Sequence, residues 1–305
     1  MTGTTEIPSA VLVGLAGAFQ VPANQNIADQ LAIRQLSADT NSRLFAFTKI
    51  LEIDSSVSAA LLEYEDPASV PLAGSRTEVI GAEYGRVVTT TSLADTISGG
   101  ALGRQAAAVV GRDAARWSNL MAINTLVAGT NVIFAGAAGT NAGMAVGDVM
   151  SRTLMSTAYT RLAIAGATKD ATGMYRAILH PAQVHDLRMD VTAGGWTDVN
   201  KYSDPATVIR GEIGSFAGFR IIESSLLAPV DQTGAGTVDV YRAIFFGFDA
   251  LGQGSTVAPS LRLTTSDKLA RFFNYGWYAC QAYTIIDQAQ VLVISTSSSV
   301  GANAT

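Results

Sequence analysis

Three features of this sequence predict an α+β fold with parts that reach beyond their own core. A β-rich run from Phe45 to Ser92 turns back about a Pro/Gly-punctuated tip, Glu65–Ser75. One amphipathic run, Ser98–Ala128, holds about 31 residues of helix, roughly 46 Å long. Beyond Val208 the chain returns to short β-rich runs between Gly-containing turns. Strands on both sides of a helical middle place the chain in the α+β class.

The elements follow in chain order. Ile7–Gln25 is broken by Gly, Ala and Pro and reads as an extended arm. Asn26–Thr40 carries a weak helical pattern, with Ile27, Leu31 and Ile33–Leu36 on one side. Phe45–Ile53 and Val57–Tyr64 lead to the tip. Arg76–Ile80 returns and continues through Glu83–Thr91, making a long hairpin whose alternating charges suit a two-sided ribbon. In the long helix, Leu102, Ala106, Val109, Val110, Ala114, Trp117, Leu120, Met121 and Leu126 form the apolar side. Ser98 is the expected N-cap and Gly129 the stop. Arg104, Arg112, Asp113, Arg116 and Asn119 occupy the opposite face.

Gly129–Gly147 reads as loop, and Asp148–Ala165 as a second helix. Tyr175–Leu179 is a short buried strand. His180-Pro181 opens a helix to about Asp190, with Pro in the first turn where its missing N–H costs nothing. Val208–Glu223 reads as a turn and a strand, followed by strands at Val238–Gly247, Ser260–Thr265, Trp277–Ile286 and Gln290–Ile294. The Ser/Gly/Ala-rich tail from Ser295 is expected to fray.

Composition narrows the function. Charged residues make up 15% of the 305, against about 25% in an ordinary soluble domain. A chain so short of charge is expected to cover much of its surface with other subunits. A net charge of −5 and a pI near 5.0 argue against an electrostatic nucleic-acid binder. The single cysteine, Cys280, rules out an internal disulfide framework and reads as a buried, inert thiol. Ile7–Val21 is shorter than the roughly 20 residues of a membrane span. It contains Pro8, Gly14 and Gly17, and no Lys or Arg precedes it, unlike a secretory signal.

No chemistry emerges from the motifs. His180 and His185 are five apart, whereas a metal-binding pair on one helix face wants four. Asp186 and Asp190 read as surface carboxylates around Arg188. Glu63, Glu65 and Asp66 sit at a hairpin tip, where nothing would desolvate them. Gly234–Gly236 and Gly247–Gly254 lack the strand–loop–helix setting of a dinucleotide site and read as loop. Arg104, Arg112 and Arg116 share a helix face that reads as solvated or inter-subunit. No catalytic, cofactor-binding or metal-binding residue is assigned, and no cofactor is expected.

A resemblance enters at Ala177–Asp190, where a helix is entered at His180-Pro181. It continues through Gly211–Glu223 (G-E-I-G-x-x-x-G-x-R) and Val240–Gly252 (V-Y-x-x-x-x-x-G-x-D-A-x-G). In that order these stretches resemble the axial domain of tailed-bacteriophage major capsid proteins with the Hong Kong 97-type fold. The hairpin then resembles that family's E-loop and Ser98–Ala128 its spine helix. The resemblance implies an N-terminal arm at 1–45, an E-loop at 46–92, a peripheral domain at 93–147 and 276–305, and an axial domain at 148–275. It implies homo-hexamers and pentamers of an icosahedral shell in the virion, assembled in the bacterial host cytoplasm around double-stranded DNA that is not bound sequence-specifically. Portal and scaffold proteins, and a decoration or cement protein, are the implied partners; no membrane is. Some members cross-link an E-loop Lys to an Asn of a neighbour. Here no Lys occurs between Lys49 and Lys169, so non-covalent contacts are expected. Two rival readings are an encapsulin-like nanocompartment and a small oligomeric α/β enzyme using the His180–Asp186 region.

Overall fold

The computed structural model describes residues 33–36, 42–50, 66, 69, 71–190, 212–230, 233–235, 237–265 and 267–300. In chain order the regular elements are β1 (Ile33–Leu36), β2 (Leu44–Ile50), β3 (Gly74–Ile80), β4 (Ala82–Thr91), α1 (Ser92–Ile97), α2 (Ala101–Val127), β5 (Val132–Phe134), α3 (Arg152–Ile164), β6 (Tyr175–Leu179) and α4 (Pro181–Met189). They continue with β7 (Glu212–Phe216), β8 (Phe219–Glu223), β9 (Tyr241–Phe246), β10 (Leu251–Thr265), β11 (Phe272–Ile285) and β12 (Val291–Thr296).

The strands form three sheets: a six-stranded one ordered β5-β12-β9-β6-β8-β7, a four-stranded one ordered β1-β10-β11-β4, and the two-stranded ribbon β2-β3. The six-stranded sheet is buried on both faces, and the period of two along its strands assigns each side chain. Ala177, Leu179, Ala243, Phe245, Leu292 and Ile294 face α3 and α4, against Met155, Ala158, Leu162, Val184 and Leu187. Ile178, Ile244, Phe246 and Val291 face the C-terminal half of α2, against Ala122, Ile123 and Leu126. The N-terminal half of α2 lies on the four-stranded sheet, where Ala106, Ala107, Val110 and Ala114 pack on Tyr275, Trp277 and Ala279. Small residues allow this close approach: a Cβ on Gly103 would stand 2.5 Å from the Tyr275 hydroxyl.

Helix boundaries differ from expectation where local caps decide them. The long helix begins at Ala101 rather than Ser98, because Ser92–Ile97 forms a separate turn of helix capped by Thr91. Ser98 still serves α2, accepting from the Leu102 N–H at 3.2 Å, while Asp95 accepts from Gly103 at 2.9 Å. Gly129 does follow the helix end, yet it is there for contact rather than for left-handed backbone, since its Cβ would stand 3.0 Å from Val291 Cγ1. The second helix starts at Arg152, because Ser151 caps it through the Leu154 N–H. Val109 is exposed and Asn119 is buried, the reverse of the sequence expectation.

Strand expectations are corrected in five places. Residues 33–36 are not helical: they add a parallel strand to β10, in register Ile33↔Gly252 to Leu36↔Ser255. The open β10 edge offers this short segment more backbone hydrogen bonds than a free helix of its length would make. β4 does not prolong the ribbon. After Gly81 it crosses to pair with β11, from Thr91↔Phe272 to Ala82↔Gln281. The stretch expected to be loop at 129–147 contains β5, a parallel partner of β12. Glu212–Glu223 is a hairpin whose two turn residues, Ala217 and Gly218, have φ of 51° and 83°, as a two-residue primed turn requires. Leu251–Gly254 is strand rather than loop and opens the 15-residue β10, which bends at bulges on either side of Val257.

Residues 295–300 do not fray, and the rest of the expected frayed tail, 301–305, lies outside the described residues. Ser295, Thr296, Ser297 and Ser298 are buried, and Ser297 donates to the Val146 carbonyl at 2.9 Å. Beyond them Ser299 donates through its N–H and its hydroxyl to Asp186. A row of hydroxyls resembles a free tail in composition, but here those of Thr296, Ser297, Ser298 and Ser299 are each hydrogen-bonded.

Candidate assembly surfaces

The β2–β3 ribbon leaves the core by a defined base. Only Phe45 and Phe47 of its strands are buried, among Ala282, Val79 and Ile286. Both rings lie on bare backbone of β10. A Cβ on Gly254 would stand 2.2 Å from Phe45 Cγ, and one on Gly252 2.8 Å from the Phe47 ring. Two polar contacts finish the base. Lys49 pairs with Asp287, and the Thr77 hydroxyl donates to the Ile286 carbonyl at 3.3 Å. Burial alone would raise the Asp287 carboxyl. The Lys49 hydrogen bond and charge, together with the Ala289 N–H, outweigh it and hold the group below the usual carboxylate range.

The face of the ribbon opposite Phe45 and Phe47 turns Leu44, Ile50 and Ile80 to solvent, and Leu72 is exposed just ahead of β3. β4 does the same with Val87 and Val88, and among its ten residues only Thr90 is buried. It is an edge strand with one side unpaired among the described residues. Long edges with exposed aliphatics are templates for another chain unless they are covered. A second apolar group crowns the far end of the four-stranded sheet. There α1 buries none of its residues and exposes Leu93 and Ile97 beside Leu269 and Phe272. The Asp267–Arg271 pair at this end is internal, at 2.9 Å.

The long helix is tied to this sheet by one carboxylate and three rings. Asp113 accepts from Arg86 at 3.0 Å and from the Trp277 indole at 2.8 Å. Trp117 sits between Tyr84 and Trp277, with ring centroids at 4.6 and 5.0 Å. Arg104, Arg112 and Arg116 are exposed on the outer face of α2, as their spacing predicts.

The residues weighed for chemistry have structural positions. His180 caps α4: its Nδ1 accepts from the Ala182 N–H at 3.1 Å, and Gln183 accepts from the His180 N–H at 3.2 Å. Burial pushes the imidazole below its ordinary pKa, which keeps Nδ1 an acceptor. Asp186 is not a surface carboxylate around Arg188, because it is buried and holds the tail through Ser299. Asp190 accepts from the Arg152 N–H at the start of α3. Cys280 is buried in β11. Asp66 is exposed, and Glu63 and Glu65 lie outside the described residues. Gly234 sits in a tight turn, donating to the Val238 carbonyl at 2.8 Å. No group of three metal-ligating side chains occurs among the described residues, and none of their helices is long and apolar enough to cross a membrane.

The feature that sequence reading missed is the seat of the ribbon. Its signal was present as two matched spacings of two, Phe45/Phe47 and Gly252/Gly254. Read separately, one looked like an ordinary strand and the other like a loop.

No family model matches this sequence, and no curated protein does. Solved structures do match. The capsid of Ralstonia phage GP4 superposes with a TM-score of 0.72 at 14% identity, over 89% of this chain and 88% of that one. The capsid of cyanophage Pam1 gives 0.65 at 14% identity, over 89% and 90%. This is the Hong Kong 97-type capsid fold. In its terms the β2–β3 ribbon is the stalk of the E-loop, and α2 is the spine helix. A virus-like particle from Pyrococcus furiosus shares the fold more distantly, at a TM-score of 0.51 and 10% identity over 94% and 96%.

Proposed function

We propose that this chain is the major capsid protein of a tailed bacteriophage, self-assembling into an icosahedral shell that encloses the phage's double-stranded DNA. One observation carries the reading. The capsid fold covers 89% of the chain, and among the described residues of its E-loop Phe45, Phe47 and Lys49 seat the ribbon while Leu44, Ile50, Leu72 and Ile80 are left exposed by their own subunit. Stable contacts bury about 1,200–2,000 Å² in total, and rotational symmetry repeats each one around a ring. Hexamers and pentamers put every E-loop and every β4 edge against a neighbour.

In this reading the chain works by contact, without catalysis. The four-stranded sheet and the first half of α2 form the peripheral part, and the six-stranded sheet with α3 and α4 forms the axial part. Because β10 pairs with β11, it belongs with the peripheral part in this reading, although the axial domain is expected to span 148–275. The negative net charge suits a container that confines DNA without gripping it. Portal, scaffold and cement proteins are partners under the same reading, and host cytoplasm is where the shells form.

Electron microscopy of the expressed chain, alone and with its scaffold, tests this. Icosahedral particles or capsomers are expected, with DNA inside those recovered from phage. A monomer under every condition would overturn the assembly reading. Shells carrying an enzyme in place of DNA would move the chain to the nanocompartment reading.

A further inference from the structure

A groove of about 240 Å³ lies between the end of α3 and the turn before β12. Its floor is core: Leu162, Val291 and Leu292 are buried. Its rim is Ile164, Ala165 and Ala289, with Arg161 at one side. Ile164 is 82% exposed, more than any other large apolar residue described. Phe248, 51% exposed, belongs to a turn bonded to the segments that flank the groove. Its N–H donates to the Thr168 carbonyl at 2.9 Å, and Gly247 bonds to Gln290, whose neighbours Ala289 and Val291 line the cavity. A cavity of roughly 150 Å³ already takes a benzene ring, so this one accommodates one or two aliphatic side chains.

The strand register shows which part of the chain ends beside it. β1 runs parallel to β10 from Ile33↔Gly252, so at Ile33 the backbone direction points back toward the Leu251 end of β10. Those 32 residues contain Ile7, Val11, Leu12, Val13, Leu15, Phe19 and Val21, which supply the matching chemistry. They carry Glu6 and Asp29 and no Lys or Arg, the complement of Arg161. From Ile33 back to Val21 an extended chain spans up to roughly 40 Å, ample for a site this close. A short tether raises the local concentration of its end to the millimolar range.

We propose that the apolar stretch Ile7–Val21 docks into the groove rimmed by Ile164 and Ala289 of the same chain, with Arg161 facing the acidic Glu6. The contact covers the most exposed aliphatic among the described residues and holds the start of the arm against the six-stranded sheet. It belongs to the single chain and stands or falls separately from shell formation.

Cysteine pairs test it. Ile164→Cys is combined in turn with Val11→Cys, Leu12→Cys and Leu15→Cys in the full chain, and isotope-labelled and unlabelled protein are mixed before mild oxidation. At least one pair is expected to form a disulfide within one chain, read by peptide mass, while Leu93→Cys at the far end of the molecule does not link. No disulfide in any pair would overturn the proposal, as would equal linking to Leu93→Cys. Links joining labelled to unlabelled chains would also overturn it, assigning the groove to a neighbour's arm. Hydrogen exchange gives an independent reading. Removing residues 1–25 is expected to speed exchange several-fold at 161–168 and 288–292, and unchanged exchange there counts against docking.

Discussion

At the scale of single residues, two glycines and one histidine have consequences out of proportion to their size. Replacing a strand glycine by alanine ordinarily helps by about 0.5–1 kcal/mol, because the unfolded chain loses freedom. Gly254 reverses that sign. A Cβ there falls within 2.2 Å of Phe45, and overpacking costs about 1–3 kcal/mol. Gly254→Ala is therefore expected to lower the denaturant midpoint and to make the ribbon more sensitive to protease. Combining it with Phe45→Ala should cost less than the two single losses added, because the clash and the ring disappear together. Simple additivity would show that the ring does not rest where the structure places it.

His180 predicts a pH dependence of the unassembled chain. Its native pKa is depressed by burial from an ordinary value of 6.5, so the unfolded chain binds more protons just below that pH. The His180 contribution is fully present above about pH 6.5 and is lost as pH falls toward the depressed native value. His180→Asn keeps a side-chain acceptor at the N-cap but removes the titration. The variant should show a flatter loss of stability than the parent between roughly pH 7.5 and 5.5, measured by urea unfolding. Equal slopes would mean that His180 does not titrate on unfolding.

At the scale of elements, the C-terminal run makes a prediction opposite to that of a frayed end. Truncation after Thr296 removes the partners of a buried carboxylate, Asp186, and uncovers the surface under Ser297 and Ser298. Leaving a buried acceptor unsatisfied costs about 1–3 kcal/mol, and more when it is charged. The truncated chain should unfold at correspondingly lower urea; an unchanged midpoint would show that the tail is not held. Elements with a single dominant periodicity were legible in the sequence: α2, β6, the Pro-entered α4 and the ribbon. Those that depend on a distant partner were not. β1 is a strand only because β10 has an open edge, β4 changes sheets at Gly81, and residues 295–298 are held by their strand partners, by the Val146–Asp148 segment and by α4. The glycine seat needed two stretches 200 residues apart to be read together. The uses of His180 as a cap and Asp186 as an anchor were not readable, because each depends on a partner the sequence does not place beside it.

At the scale of the molecule, the ribbon bears on how subunits are joined. A Lys-to-Asn cross-link would need a free amine on the part of the E-loop that crosses to a neighbour. Lys49 is the one lysine of the ribbon strands, and it is engaged at the base with Asp287 of its own chain. Arginine cannot replace it, because its guanidinium stays protonated. Particles boiled in denaturing detergent should therefore run as one band near the 31.7 kDa chain mass. A ladder of covalent oligomers would disprove non-covalent joining.

The helix shared by both large sheets has a mechanical meaning. Its first half is bonded to one sheet through Asp113 and the stacked rings, and its second half is buried in the core of the other. Neither half can turn without the other. The 27 residues of α2 make a rod of about 40 Å, so a tilt of roughly 10° at one end moves the far end by about 7 Å. A small rotation imposed by a neighbour on the outer sheet would thus be delivered, geared up and nearly undamped, to the opposite side of the subunit.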